Sequence, residues 1–162
     1  MKLPAHFAMA ALLALPLGGM VGTAIAADGH HGHEVHGSME LNQGQKWEID
    51  EPLRLGMNEL HQIVSTGLSG VEANTLKPDD YNKMSGELMT QFTYIMDNCD
   101  LEPEPDVQLH ILLANIIQNI EVIEGKIDGE QPEDGLLKMA EALNSYGEYF
   151  NHPNWKSFDV VL

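Results

Sequence analysis

Cysteine is almost absent from this chain of 162 residues, in which Cys99 stands alone. One cysteine cannot form an intramolecular disulfide, and without a C-x-x-C-H motif the chain cannot attach c-type haem covalently. Sequence signatures of catalysis are missing as well, since there is no G-x-S-x-G, no H-E-x-x-H and no pair of Glu-x-x-His motifs. These absences predict a protein that is not an enzyme.

Basic residues are also scarce. The chain has 8 Lys and Arg against 25 Asp and Glu, which gives a formal net charge of −17 with histidine neutral. A surface of this sign repels nucleic-acid phosphates and anionic lipid and attracts cations. We therefore expect metal ions, and neither nucleic acid nor a membrane surface, as partners. The same acidity also serves simply to keep a protein soluble.

A long uninterrupted apolar run is missing too. Lys2 precedes the stretch FAMAALLALPLGGMVGTAIA, which Pro16 and a Gly-Gly pair interrupt and which ends in small residues. A membrane-spanning helix needs about 20 consecutive apolar residues, whereas this layout is typical of a secretory signal peptide. We predict that residues 1–26 are a cleaved signal peptide and that the mature chain has the size of one domain.

Histidine is concentrated in the stretch ADGHHGHEVHGSM. Four of the eight histidines lie there: His30, His31, His33 and His36. A Gly- and His-rich stretch without apolar periodicity cannot form a core, and short tracts of this kind bind metals. Residues 27–46 are thus predicted to be a flexible His-rich segment that holds Cu(II), Zn(II) or Ni(II), and removing residues 27–38 should abolish most of this binding. The alternative is a solvated leader whose histidines bind nothing.

Four prolines recur at nearly equal spacing with acidic neighbours: Pro52, Pro78, Pro105 and Pro132. Proline and carboxylates both favour the first turn of a helix, so the prolines predict four helix starts. The short connections STGLSGVEANTLK, DLEPE and GKIDGEQ make sequential helices antiparallel. We predict an all-α, up-down-up-down antiparallel four-helix bundle over residues 47–162.

Apolar residues recur at helical intervals between these starts, which predicts one buried stripe on each helix. The four stripes are Leu53, Met57, Leu60 and Val64; Tyr81, Met84, Leu88, Phe92, Ile95 and Cys99; Val107, His110, Leu113, Ile117 and Ile120; and Leu136, Ala140, Leu143, Tyr146 and Phe150.

The predicted topology brings several potential metal ligands to one height in the bundle. We call the end where the first and third helices begin, and the second and fourth finish, the lower end. Met57, His61, Met96, Cys99 and His110 all map there. Imidazole, thioether and thiolate suit copper, particularly Cu(I), and a shared pocket for at least three of the five is predicted. The alternative is that these residues are core packing, because height does not fix side-chain direction.

The sequence also resembles a known family. The leader and His-rich tract, followed by KWEIDEPLRLGMNEL, YIMDNCDLEPEPDVQLH and ALNSYGEYFNHPNW, resemble a family of His-rich proteobacterial periplasmic four-helix-bundle proteins. This resemblance implies a periplasmic location. A more distant likeness to cytochromes b562 and c′ rests on helix layout alone, and it makes a non-covalent haem protein with Met57 facing His110 an alternative to metal binding. A bundle that acts only through a protein partner is a further alternative.

Overall fold

The structure, a computed structural model, describes residues 37–160 and shows four helices packed as a bundle. Each helix packs against its two neighbours in cyclic order, which confirms the predicted all-α four-helix bundle. Within residues 37–160, none of the helices combines the length and apolar content that a membrane crossing requires. The predicted signal peptide and the four histidines of the tract lie outside the described residues. The helices are α1 (Glu51–Glu72), α2 (Pro78–Asn98), α3 (Pro103–Ile123) and α4 (Pro132–Tyr149).

Every helix begins with proline in its first two positions and with acidic residues in its first turn. These starts agree with the predicted ones except in α3, which begins at Pro103 and not at Pro105. Asp50 caps α1 by accepting a hydrogen bond from the Leu53 amide at 2.9 Å, and its second carboxylate oxygen accepts one from the Asp100 amide at 2.8 Å. One carboxylate thus ties the start of α1 to the connection after α2.

Helix α1 is longer than the sequence indicates, because residues 65–72, predicted as a connection, continue the helix. The two glycines that suggested a loop are required by packing. A β-carbon at Gly67 would lie 2.9 Å from the Met84 sulfur, and one at Gly70 would lie 2.6 Å from a Leu76 methyl carbon. These glycines therefore let neighbouring side chains approach the helix closely and do not end it.

The predicted stripes of α1 and α4 are entirely buried, and that of α2 is buried or partly buried along its length. The stripe of α3 is wrong in its first turns, where Val107 and His110 face solvent. Apolar residues occupy so much of α3 that several helical stripes fit its sequence, and periodicity alone cannot select one. The buried stripe is Leu109, Leu112, Leu113, Ile116, Ile120 and Ile123.

Two chain segments outside the helices lie against the bundle. Residues 37–49, of which residues 37–46 were assigned to the flexible segment, place Met39 and Trp47 against the core. Trp47 donates its amide hydrogen to the Tyr149 carbonyl and accepts from the Asn151 amide, both at 2.8 Å. Residues 150–160, which we call the C-terminal strap, fold back along α4, and the ordered chain therefore extends beyond both ends of the helices.

Candidate functional site

The five residues predicted to share a pocket at the lower end lie in different surroundings. Met57 is fully buried, whereas the side chains of Met96 and His110 are about half exposed, at 47% and 55%. Cys99 is partly buried at the end of α2, and His61 is covered by the C-terminal strap. Within residues 37–160, no group of three or more His, Cys, Asp and Glu side chains could hold a metal ion. Similar height along the bundle therefore does not give these side chains a common environment.

Cys99 lies between carboxylates. Burial, followed by the charge and hydrogen bond of Asp50 and by the charge of Asp106, raises the pKa of the Cys99 thiol to about 12. Soft-metal ligation and nucleophilic chemistry both require the thiolate. The position of Cys99 thus favours a protonated, structural thiol, which matches the packing interpretation of this residue.

The haem alternative depended on Met57 and His110 facing each other across the bundle. Met57 lies in the core, while His110 lies on the solvent side of α3. The pair therefore cannot ligate one iron from opposite sides, and this geometric basis for a haem site is removed.

The most deeply buried of the described histidines is His152, which is not among the predicted metal ligands. Its exposed fraction is 8%, and its Nδ1 lies 2.9 Å from the hydroxyl of Tyr146, a fully buried residue of α4. Burial, with the charges of Arg54 and His61, lowers the pKa of His152. Burial also raises the pKa of Tyr146 above its ordinary value. With the imidazole neutral, the Tyr146 hydroxyl donates to Nδ1, and both buried polar groups are satisfied.

The strap continues from His152 along the groove between α1 and α4. The Trp155 indole N–H donates to the Leu143 carbonyl at 3.2 Å. Asn144 of α4 accepts from the Phe158 amide at 2.7 Å and donates to the Phe158 carbonyl at 3.0 Å. Both side-chain and backbone bonds therefore fasten residues 150–160 to α4.

His61 holds the strap from the side of α1. Its ring stacks on Phe158 with centroids 4.2 Å apart, and its Nε2 lies 2.8 Å from the Lys156 carbonyl oxygen. A carbonyl oxygen only accepts, so Nε2 carries the proton and donates. Trp155 packs against both His61 and His152, with ring centroids 5.0 Å and 4.8 Å away. The two imidazoles thus secure the strap, and one ring nitrogen of each is hydrogen-bonded within the protein.

Sequence reasoning could have found part of this arrangement. Tyr146 lies on the predicted stripe of α4, and His152 follows it by six residues, immediately beyond the helix end. A buried tyrosine hydroxyl needs a hydrogen-bond partner, and His152 is one of several acceptors near it in the sequence. The return of the strap along α4, however, has no periodic signal that would predict it.

An open groove of about 380 Å³ lies between α3 and α4. Its walls carry the amides of Asn115, Gln118 and Asn119, and Lys138 pairs with Glu130 at its edge. Among the described residues, every buried side-chain nitrogen and oxygen has a hydrogen-bond partner. Within residues 37–160, the groove contains no group of three or more His, Cys, Asp and Glu side chains that could hold a metal ion.

His110 has a different environment from the other two described histidines. Its Nδ1 lies 3.0 Å from the backbone carbonyl of Asp106, one helical turn earlier, and 3.5 Å from a carboxylate oxygen of the same residue. More than half of the His110 side chain is exposed. The histidines of the N-terminal tract, His30, His31, His33 and His36, lie outside the described residues.

No protein-family model matches the chain, and neither a curated protein nor a solved structure shows significant similarity to it.

Proposed function

We propose that this is a periplasmic protein that binds transition-metal ions, either copper or zinc or nickel, and serves metal handling or tolerance. The observation that carries the proposal is the tract of four histidines within the seven residues 30–36. Four neutral imidazoles at this density, with the carboxylates of Asp28 and Glu34 beside them, form a nitrogen-rich donor set that suits these three metals.

The charge of the rest of the chain supports the same function. Of the 25 acidic residues, 23 follow residue 36, together with seven of the eight basic residues. The helical bundle is thus strongly anionic, and its field raises the local concentration of cations around the tract. In this proposal the tract supplies the ligands, and the bundle supplies a folded, soluble anchor.

Removing the tract tests the proposal. The protein comprising residues 27–162, made without an affinity tag and stripped with chelator, is dialysed against Cu(II), Zn(II) or Ni(II). Deleting residues 27–36 leaves Gly37, the first described residue, which lies close to Ile111 of α3. We expect wild type to bind more than one ion per chain and the deletion to lose most of this binding, because the tract holds ligands but no core residues.

A second variant separates the ligands from the chain that carries them. Replacing the four tract histidines by glutamine preserves length and polarity and should lose as much metal as the deletion. Circular dichroism and urea unfolding should be unchanged in both variants. Equal metal stoichiometry in wild type and variants would refute the assignment to the tract. If wild type binds no metal, the function lies with a protein partner. If wild type binds no metal but shows a Soret band, the ligand is haem.

A further inference from the structure

Asn119 is a buried polar residue whose side chain has no partner among the described residues. The buried polar residues of the described chain are Ser85, Asn119 and His152, and the exposed fraction of Asn119 is 9%. Ser85 donates to the Asn82 carbonyl and His152 accepts from Tyr146, whereas no described residue forms a hydrogen bond with the Asn119 carboxamide. Every fully covered side-chain nitrogen and oxygen there does have a partner, so the amide opens into the groove between α3 and α4 that Asn119 lines. Water or a bound molecule therefore satisfies this amide.

The groove runs along the two helices over an apolar floor. Leu112 and Val122 of α3 both line it, and at 1.5 Å of rise per residue they lie about 15 Å apart along the helix. Both residues are buried, as is Ala142 of α4 on the opposite side. The volume of about 380 Å³ is that of a small-molecule site. An aliphatic chain of several carbon atoms therefore suits this floor.

The polar groups beside this floor offer acceptor oxygens. Asn115 donates a side-chain N–H to the Ile111 carbonyl at 3.2 Å, and Ser145 donates its hydroxyl to the Glu141 carbonyl at 3.1 Å. Because these bonds use donors, the lone pairs of Asn115 Oδ1 and Ser145 Oγ remain for a ligand. The carboxylate of Glu141, which also lines the groove, can only accept. A ligand group that only donates hydrogen bonds matches this set.

The charge of the groove favours a cation. Its lining includes one lysine, Lys138, and two glutamates, Glu130 and Glu141, which leaves one uncompensated negative charge. Lys138 pairs with Glu130, while Glu141 pairs with no basic side chain within residues 37–160. The net charge of −17 repels anions from the same surface. The Lys138–Glu130 pair is itself a primary ammonium held by a carboxylate of this groove.

We propose that the groove between α3 and α4 binds a small aliphatic primary amine in its protonated form. An ammonium group has three donors and no acceptor, and we assign to it the carboxylate of Glu141 and the amide oxygens of Asn119 and Asn115. The alkyl chain covers the apolar floor, which removes its surface from water. An alcohol of the same length lacks the charge, and a carboxylate has the wrong sign, so the site selects against both. This site is separate from the histidine tract and requires no metal.

The test titrates pentylamine into tag-free protein of residues 27–162 by calorimetry, with chelator present so that metal cannot contribute. At about pH 7 the amine is protonated, because primary aliphatic amines titrate near the lysine pKa of about 10.4. Ethylamine keeps the ammonium but shortens the chain, and 1-pentanol keeps the chain but lacks the charge. We expect pentylamine to bind at one site and each control ligand to bind at least about tenfold more weakly. Absence of saturable pentylamine binding overturns the inference.

Glu141→Gln and Glu148→Gln form a matched pair of variants. Both remove one negative charge from α4, but Glu148 is exposed and does not line the groove. We expect Glu141→Gln to weaken pentylamine binding about tenfold or more, because a charge-assisted hydrogen bond is lost, and Glu148→Gln to leave it nearly unchanged. Equal weakening by the two variants would show general attraction to an acidic surface and would overturn the site.

Asn119→Leu distinguishes a ligand-binding amide from a structural one. Leucine keeps the branched shape but removes the acceptor, so pentylamine should bind more weakly to this variant. Because the amide has no partner among the described residues, the urea midpoint of the ligand-free variant should not fall. Unchanged pentylamine affinity in Asn119→Leu overturns the inference. Metal binding by the histidine tract is measured separately, and its presence or absence leaves this result unaffected because the two sites share no residue.

Discussion

At the scale of single residues, two helical glycines differ in what surrounds them. Gly86 on α2 is exposed, and a β-carbon there would meet nothing within 4 Å. Gly147 on α4 lies under Trp155, where a β-carbon would fall 2.3 Å from the indole Cδ1 atom. The first glycine costs the helix conformational entropy without a packing benefit, whereas the second lets the C-terminal strap approach α4.

Alanine at each position should therefore act in opposite directions. Gly86→Ala is expected to raise the free energy of unfolding by about 0.5–1 kcal/mol through helix propensity. Gly147→Ala should lower it by roughly 1–3 kcal/mol because Trp155 must move. Urea unfolding gives both values, and the tryptophan emission of the Gly147 variant should shift as Trp155 becomes more exposed. Stabilisation by both substitutions would show that Trp155 does not pack on Gly147.

His152 should make the stability of the folded protein depend on pH. Burial lowers the pKa of His152 below its ordinary value of 6.5, so the unfolded chain takes up a proton at higher pH than the folded chain does. The stability that neutral His152 contributes is complete above pH 6.5 and is lost as the pH falls toward its folded pKa. Protonation also takes the Nδ1 lone pair from the Tyr146 hydroxyl, while Arg54 and His61 add positive charge nearby.

The measurement compares urea midpoints at about pH 8 and about pH 5. His152→Gln removes the titrating group but retains a polar side chain, so its loss of stability on acidification should be smaller than that of wild type. His110→Gln is the matched control, because it removes an imidazole from the surface, and it should follow wild type. Parallel pH profiles for wild type and the His152 variant would rule out this histidine as the group responsible.

At the scale of elements, helix starts could be predicted and helix faces only in part. Proline and acidic residues act locally on the first turn, so their effect can be predicted from neighbouring residues alone. The face of α3 depends on which of its many apolar residues the other three helices contact, and that choice is not local. His110 was assigned to the buried stripe for this reason. His110 is instead exposed, whereas Met57, another residue of the predicted copper pocket, is fully buried.

The C-terminal strap and the length of α1 also depend on contacts that local sequence does not predict. Gly67 and Gly70 suggest a loop when only their sequence neighbours are considered. Glycine is needed at these two positions because the side chains of Met84, Leu136 and Leu76 pack closely against the helix there. The contacts of residues 150–160 with His61 and Asn144 likewise join positions distant in sequence. The number and order of the helices could be predicted from neighbouring residues. Contacts between residues far apart in the sequence could be identified only from the structure.

At the scale of the whole molecule, charge is distributed unevenly along the helices. Each of the four has acidic residues in its first turn, and none has a basic residue in its last turn. Carboxylates thus complement the positive ends of the helix dipoles, while no cation complements the negative ends. The net charge of −17 adds mutual repulsion throughout the fold.

Two charge reversals separate these effects. Glu72 is the last residue of α1 and Asp79 lies in the first turn of α2, and both are exposed. Within residues 37–160 neither carboxylate pairs with a basic side chain. Glu72→Lys and Asp79→Lys change the net charge equally, so general repulsion falls by the same amount in both. They differ in the sign of the dipole interaction, since lysine is favourable at the end of α1 and unfavourable at the start of α2.

We therefore expect Glu72→Lys to be more stable than Asp79→Lys by roughly 1–4 kcal/mol, because the sign of the charge differs at both helix ends and each single dipole interaction contributes about 0.3–1 kcal/mol at low ionic strength. Urea unfolding at low salt gives the difference directly. Repeating it at about 1 M salt, where the screening length is about 3 Å, should narrow the gap because both side chains are exposed. If the two variants gain stability equally at low salt, net charge alone governs the effect, and the orientation of the helix dipoles contributes nothing measurable to this bundle.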